Sequence, residues 1–426
     1  MSEPLPQSPH RAPTEQRAPA QRGAAHGDAA RGGAAHGDAA RGGVTHGGVA
    51  RGDVPQRSPV GRDPRLDFFR GLALVMIFIN HVPGTIYEHL TNRNFGFTDA
   101  AEGFVLMSGV AAGLAYSQGL VRAPRWPTVA RIWNRAWLLY LVHIMTAVAA
   151  IAIVAAAALW WDATPMLTRN NFQALLGTPL KFLIGIPSLG HQLGYVNILP
   201  MYMMLLLATP LFLWLALGRP VVLVAVSVLI WWAAAHFRLN LPNYPTAGGW
   251  FFNPLSWQLI FCTGLLIGVA LKQGRRLVPV RGWLVALAAV YLVLALVWIR
   301  VPVAGKTFGA ALGHLRDIGF PFYIVGFDKT FVTLPRLLHI LALAYILSLP
   351  GWVRRFCASG VARPIVLMGQ NALPVFALGT ILAILMQAVK EVAPRSIVED
   401  SLILLGGLSA QFGFAWAKTR LSTRRR

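Results

Sequence analysis

The chain has 426 residues, 55% hydrophobic and 13% charged, with a mean hydropathy of +0.54. Soluble domains carry about a quarter charged residues, so water is excluded as the main solvent of this chain. A net charge of +22 would direct a soluble protein to nucleic acid, but here Lys and Arg concentrate in short stretches between apolar runs, as membrane orientation demands, and no nucleic-acid partner is expected. Only Cys262 and Cys357 are present, which argues against a disulfide framework.

Residues 1–62 hold few large apolar side chains and repeat with a period of ten, through RGAAHGDAA, RGGAAHGDAA and RGGVTHGGVA. Gly/Ala/Arg sequence of this kind buries too little surface to offset ordering entropy, so a disordered tail is predicted. His26, His36 and His46 recur at equal intervals, but nothing rigid fixes them, and no metal site is expected. No apolar core lies near Met1, so the first membrane helix is expected to direct insertion.

From Leu66 onward apolar runs reach the roughly 20 residues that a helix needs to cross ~30 Å of hydrocarbon. Spans are predicted near 67–88, 99–120, 132–160, 196–217, 220–237, 251–271, 282–300, 332–350, 364–389 and 397–417. The fold class is therefore all-α: a polytopic bundle of about ten transmembrane helices in contact with membrane lipids, expected over 63–420, with a short basic tail at 421–426. Arg122, Arg125, Arg131, Lys272, Arg275, Arg276, Arg281, Arg354, Arg355 and Arg363 mark the connections predicted to face the cytoplasm. An even number of spans then puts both termini on that side. The opposite connections mix signs, and three of them, 165–195, 238–250 and 301–331, combine Pro, Gly and aromatics with polar residues. They are expected to lie at the membrane interface and to roof a cavity.

The stretch DPRLDFFRGLALVMIFINH (63–81) concentrates the chemistry. Arg70 and His81 are eleven residues apart, which at 100° per residue places them on one helix face roughly 16 Å apart. Asp67 falls within about 60° of both. Ionisable groups inside a bilayer are costly and face a bundle interior or a cavity, which makes His81 a functional candidate. Asp67 and Arg70 also fit a plain interface ion pair at i, i+3.

The next span opens TNRNFGFTDAAEGFVLMSG (91–109), with Asp99 and Glu102 at i, i+3. Both positions suit helix capping. An antiparallel neighbour also brings Glu102 near the depth of His81, and a carboxylate beside an imidazole raises its basicity. A contact of His81 with Glu102, or else with Asp99, is predicted. Further along, His191, Asp328, Lys329 and Trp250 sit in the outer segments with groups that fit a sugar or a carboxylate. Asn371, in MGQNALPVF beside Pro374, is expected to satisfy carbonyls freed at a kink.

RLDFFRGLALVMIFINH followed by TNRNFGFTDAAEGFVLMSG resembles the opening of the OpgC-type family, membrane succinyltransferases of osmoregulated periplasmic glucans related to the type 3 membrane acyltransferases. The larger group is recognised by an Arg, ten residues, then a His on the first span, and Arg70 and His81 fit that spacing. The likeness in motif covers 63–119. It implies a multi-pass protein of the bacterial inner membrane that moves a succinyl group from succinyl-CoA to a glucan hydroxyl, with acyl-CoA as co-substrate and no further cofactor. On this reading His81 is the general base with Glu102 or Asp99 beside it, and Arg70, Asp67, Arg131 and Arg135 form the acyl-CoA end. Trp250, Asp328 and His191 are the acceptor-binding candidates. An acetyl-CoA-dependent O-acetyltransferase of a surface polysaccharide would use the same Arg and His. A transporter of anions or sugars is the rival from another class.

Overall fold

The computed structural model describes residues 63–393 and 396–424. The histidine repeat, with His26, His36 and His46, lies outside them. Among the described residues the fold is sixteen α-helices with three short 3-10 turns and no strand, only an isolated bridge between Pro242 and Gly249. The first helices are α1 (Pro64–Asn80), α2 (Ala100–Val121) and α3 (Trp126–Trp160), followed by the short α4 (Gln173–Gly177) and α5 (Pro179–Gly185). Next come α6 (Ile198–Gly218), α7 (Pro220–His236), α8 (Pro254–Lys272), α9 (Gly282–Arg300), α10 (Pro302–Asp317) and α11 (Phe322–Val325). The chain closes with α12 (Leu334–Ser348), α13 (Gly351–Cys357), α14 (Arg363–Gln370), α15 (Ala372–Val392) and α16 (Ile397–Arg424).

Seven helices, α2, α3, α6, α8, α9, α15 and α16, are long and apolar enough to cross a membrane, or eight if the α12–α13 pair, bent by 84°, is one span. Helices α1 and α7 have 17 residues each, at the short end of the spanning range. Every predicted span thus has a helical counterpart, and the protein is an all-α membrane protein. Four spans depart from expectation. The first ends at Asn80 and not near 88, because Pro83 disfavours helix at Val82 and Gly84 turns the chain with φ +81°. The ninth is broken between α14 and α15, where Asn371 Nδ2 donates to Leu367 O (3.1 Å) and to Thr419 Oγ1 (3.0 Å), as expected of a polar group at a kink. The eighth bends at Pro350, and α16 runs on to Arg424, through the segment expected to be a tail.

Helix starts follow local chemistry. Asp63 Oδ1 accepts from Arg65 N (3.0 Å) ahead of Pro64, and Asn253 Oδ1 accepts from Leu255 N (3.1 Å) ahead of Pro254. Asp99 and Glu102 form a capping box on α2: Asp99 Oδ1 accepts from Ala101 N (2.8 Å) and Glu102 Oε2 accepts from Asp99 N (3.1 Å).

Packing is centred on α8, whose Trp257, Ile260, Phe261 and Leu265 are fully buried. It lies against α2 through two small-residue faces. Gly109 and Gly113 of α2 and Gly264 and Gly268 of α8 are each spaced i, i+4, and a Cβ on any of them would land on a backbone carbonyl of the other helix. Apolar chains in lipid gain little from burial, so close backbone approach of this kind is what holds two helices together. The same device joins α1 to α14: Gly71 abuts Ile365 O and Gly369 abuts Asp67 O. Peripheral α9 buries only Ala288 and Ala295 and turns Leu287, Val290, Val293 and Leu294 outward, the pattern of a lipid-facing helix.

Alternation of the spans collects the connections at two ends. At one, Arg65 Nη1 donates to Ser348 O (2.8 Å) and Arg276 Nη2 to Ser348 Oγ (2.6 Å). At the other, Gln387 Nε2 donates to His81 O (2.6 Å), Lys390 Nζ to Gly84 O (3.3 Å), and Lys390 pairs with Asp400 (2.5 Å). Arg70 lies toward the first end and His81 at the second.

Candidate active site

At the His81 end, four charged side chains from distant parts of the chain meet. Asp99 forms an ion pair with Lys329, and Glu102 with Arg336. Arg336 Nε donates to Glu102 Oε1 at 2.8 Å, its Nη2 donates to the same oxygen, and Nη2 also lies 4.0 Å from Asp99 Oδ2. The Glu102 side chain is 0% exposed and that of Arg336 12%, so both charges are carried inside the bundle. Two carboxylates and two cations cancel, which is the condition for keeping them there.

Two indoles set the segment that supplies Lys329. Trp257 Nε1 donates to Lys329 O (3.1 Å), and Trp231 Nε1 donates to Phe331 O (3.1 Å) and Val332 O (2.9 Å). Val332 has φ +48°, a left-handed conformation that costs a β-branched residue about 1–3 kcal/mol and persists where surroundings over-determine it. The buried Trp231 bond supplies that determination. Asp328 caps the same turn, accepting from Phe331 N (2.9 Å).

His81 caps the C-terminus of α1 and packs on Tyr195, ring centroids 4.4 Å apart. Burial pushes the Tyr195 hydroxyl above its usual range, so it stays protonated. The expected His81–carboxylate contact is not formed: the ring hydrogen-bonds neither Glu102 nor Asp99, because each carboxylate takes the nearer cation. His81 is also placed at the end of α1 and not deep within a longer helix.

Roughly 16 Å back along α1, eleven residues at 1.5 Å each, Arg70 lines a narrow cavity with Arg135, Tyr202, Phe104 and Phe376. Its volume is about 20 Å³, room for little more than one water. Arg131, one turn before Arg135 on α3, lies against Gly119 of α2. Arg131 donates to Thr128 Oγ1 (2.9 Å) and is exposed, and Asp67 is buried where α1 meets α14. Arg70 and Arg135 are thus brought together, with Arg131 nearby.

Two of the three acceptor candidates, Trp250 and His191, are buried. Trp250 is 5% exposed, inside the protein. His191 is 1% exposed, with Nε2 against Asn171 O at 2.9 Å and its ring on Phe182. Asp328 is committed to its turn. The cavity at this end is formed by other residues: about 310 Å³ lies between Asp99, Arg336, Arg93, Phe97, Trp298 and Phe327. Arg336 was missed in the sequence, although a cation in the first turn of an apolar helix opposes the macrodipole and marks an unusual need. Tyr195 was missed too; its positive φ of 69° appears only in the structure.

No curated protein and no solved structure matches this chain. A family model described as OpgC protein matches residues 62–423, and with that match spanning most of the sequence the chain belongs to the OpgC family of membrane-associated, glucan-modifying acyltransferases.

Proposed function

We propose that the protein transfers a succinyl group from succinyl-CoA to a hydroxyl of a periplasmic glucan, in the bacterial inner membrane with both termini cytoplasmic. The observation that carries this reading is the division of α1: Arg70 shares a cavity with Arg135 at one end, and His81 closes the helix at the other, the end at which Asp99 pairs with Lys329 and Glu102 with Arg336. CoA phosphates are held at the cytoplasmic end by Arg70, Arg135 and Arg131, whose guanidinium forks suit phosphate. Asp67 and the α1–α14 contact fix the start of α1.

At the other end His81 accepts the proton of a glucan hydroxyl as that oxygen attacks the thioester carbonyl. The C–O bond forms, the C–S bond breaks, and the proton returns from the imidazolium to the departing thiolate. Tyr195 packs on the imidazole from one side and orients it. Asp99 and Glu102 act through the cations they hold. A 20 Å³ cavity does not pass a pantetheine arm, so donor binding requires Phe104 and Phe376, whose rings lie 6.5 Å apart, to separate.

The test uses the purified full chain in detergent with labelled succinyl-CoA, labelled acetyl-CoA in parallel, and glucan. The expected result is succinyl ester on glucan, lost by at least about 100-fold in His81→Ala, the usual scale of a general base. Full activity in His81→Ala, or preference for the acetyl donor, rejects the proposal as stated.

A further inference from the structure

The 310 Å³ cavity at the His81 end is not explained by acyl transfer alone. Its size falls at the lower edge of the ~300–1,000 Å³ typical of small-molecule sites. Three aromatic side chains, Phe97, Trp298 and Phe327, line it on one side; Asp99, Arg336 and Arg93 line it with charge. Trp298 contacts Phe97 edge-on (5.6 Å) and Phe327 edge-on (5.3 Å), while Phe308 of α10 stacks on it (5.1 Å, 25°), so the plane of the indole is set from three directions.

We propose that this cavity is the acceptor subsite, in which one pyranose ring of the glucan lies against Trp298 and Phe327 with its hydroxyls on Asp99 and the guanidinium of Arg336. The inference rests on the glucan-acyltransferase reading and deepens it. A pyranose has an apolar C–H face and a rim of hydroxyls, and needs an aromatic plane next to donors and acceptors within one ring's breadth. This cavity supplies that combination. A lipid chain would gain nothing from Asp99 and Arg336, and an acyl carboxylate would face the Asp99 carboxylate in the same cavity. A Trp at a helix end often anchors the membrane interface. Trp298 differs in sharing a cavity with a carboxylate and two guanidinium groups. Asp99 also ties the cavity to the charge cluster, lining the one and pairing with Lys329 in the other.

The test is binding without chemistry. Saturation-transfer NMR is recorded on the full chain in a detergent that has no sugar headgroup, with a β-linked glucose tetrasaccharide and no acyl donor. Saturation of the pyranose C–H protons is expected in the wild type. Trp298→Ala should weaken binding about ten-fold, equivalent to ~1.4 kcal/mol. Trp298→Phe, which keeps an aromatic face, should stay within about three-fold, or ~0.7 kcal/mol. Phe327, already 37% exposed, allows Phe327→Ala to test the same wall if Trp298→Ala does not fold, with a loss of several-fold expected. Trp352→Ala, at an exposed site elsewhere, should bind as wild type. Absence of saturation in the wild type, or unchanged affinity in folded Trp298→Ala or Phe327→Ala, overturns the subsite. Tetrasaccharide binding that depends on Trp298 in a protein that transfers no acyl group upholds the subsite while rejecting the transfer reaction.

Discussion

Glu102 and Arg336 show how the site is held residue by residue. A fully buried carboxylate bonded twice by one guanidinium is stable only as a pair, and removing one partner of a buried pair costs about 3–5 kcal/mol because the other charge is stranded. Glu102→Gln should therefore lower the thermal midpoint in detergent sharply, and Glu102→Gln with Arg336→Met should recover part of the loss. A double variant no more stable than the single one would refute the pairing. His191 makes a pH-dependent contribution. Burial lowers its pKa below 6.5, outweighing the opposite effect of its bond to the Asn171 carbonyl. A histidine with a depressed folded pKa stabilises fully above pH 6.5 and loses that contribution as pH falls through and below 6.5, because the unfolded chain then binds the extra proton. Melting followed from pH 7.5 to 5.5 should show this decline, and His191→Gln should make it shallower without abolishing it, because other histidines are buried too.

Among the elements, α2 and α8 depend on glycine. Gly109, Gly113, Gly264 and Gly268 sit where a Cβ would overlap a carbonyl of the opposing helix, so Gly264→Val must push the helices apart. Because α2 carries Asp99 and Glu102 while α8 carries Trp257, which fixes Lys329, that separation breaks stability and site geometry together. Gel filtration of Gly264→Val should show little monodisperse protein, whereas Gly282→Ala, with open space around its Cβ, should behave as wild type. Helix α1 is the other element on which the proposal turns: its 17 residues carry Arg70 and end at His81. The helix stops there because Pro83 and Gly84 follow, features visible in the sequence, although the apolar run read past them.

For the whole molecule, alternate spans gather the acidic connections and Lys329 at one end and the Arg-rich connections at the other. The proposed orientation puts the Arg-rich end in the cytoplasm. Native Cys262 and Cys357 are both buried, so an introduced cysteine can be read against a quiet background. In intact cells whose outer barrier is opened, Gly177→Cys should react with an impermeant thiol reagent and Ala358→Cys should not. The reverse pattern would invert the membrane topology and move His81 to the donor's side.

Solvent class, the positions of the spans and the placing of Arg70 and His81 on one helix and its end were legible in the sequence, because each depends on local quantities: run length, charge beside a run, and helical rise. Partner choice was not. Asp99 and Glu102 are joined to Lys329 and Arg336, 230 and 234 residues away, and local periodicity carries no information on which helices pack together. The same holds for the aromatics: Trp250 and Trp298 both stand near helix ends in sequence, yet one is buried and the other lines a cavity. Tertiary structure alone decided these, because glycine faces on α1, α2, α8 and α14 select the helix neighbours, and the neighbours determine which buried charge finds which counter-charge.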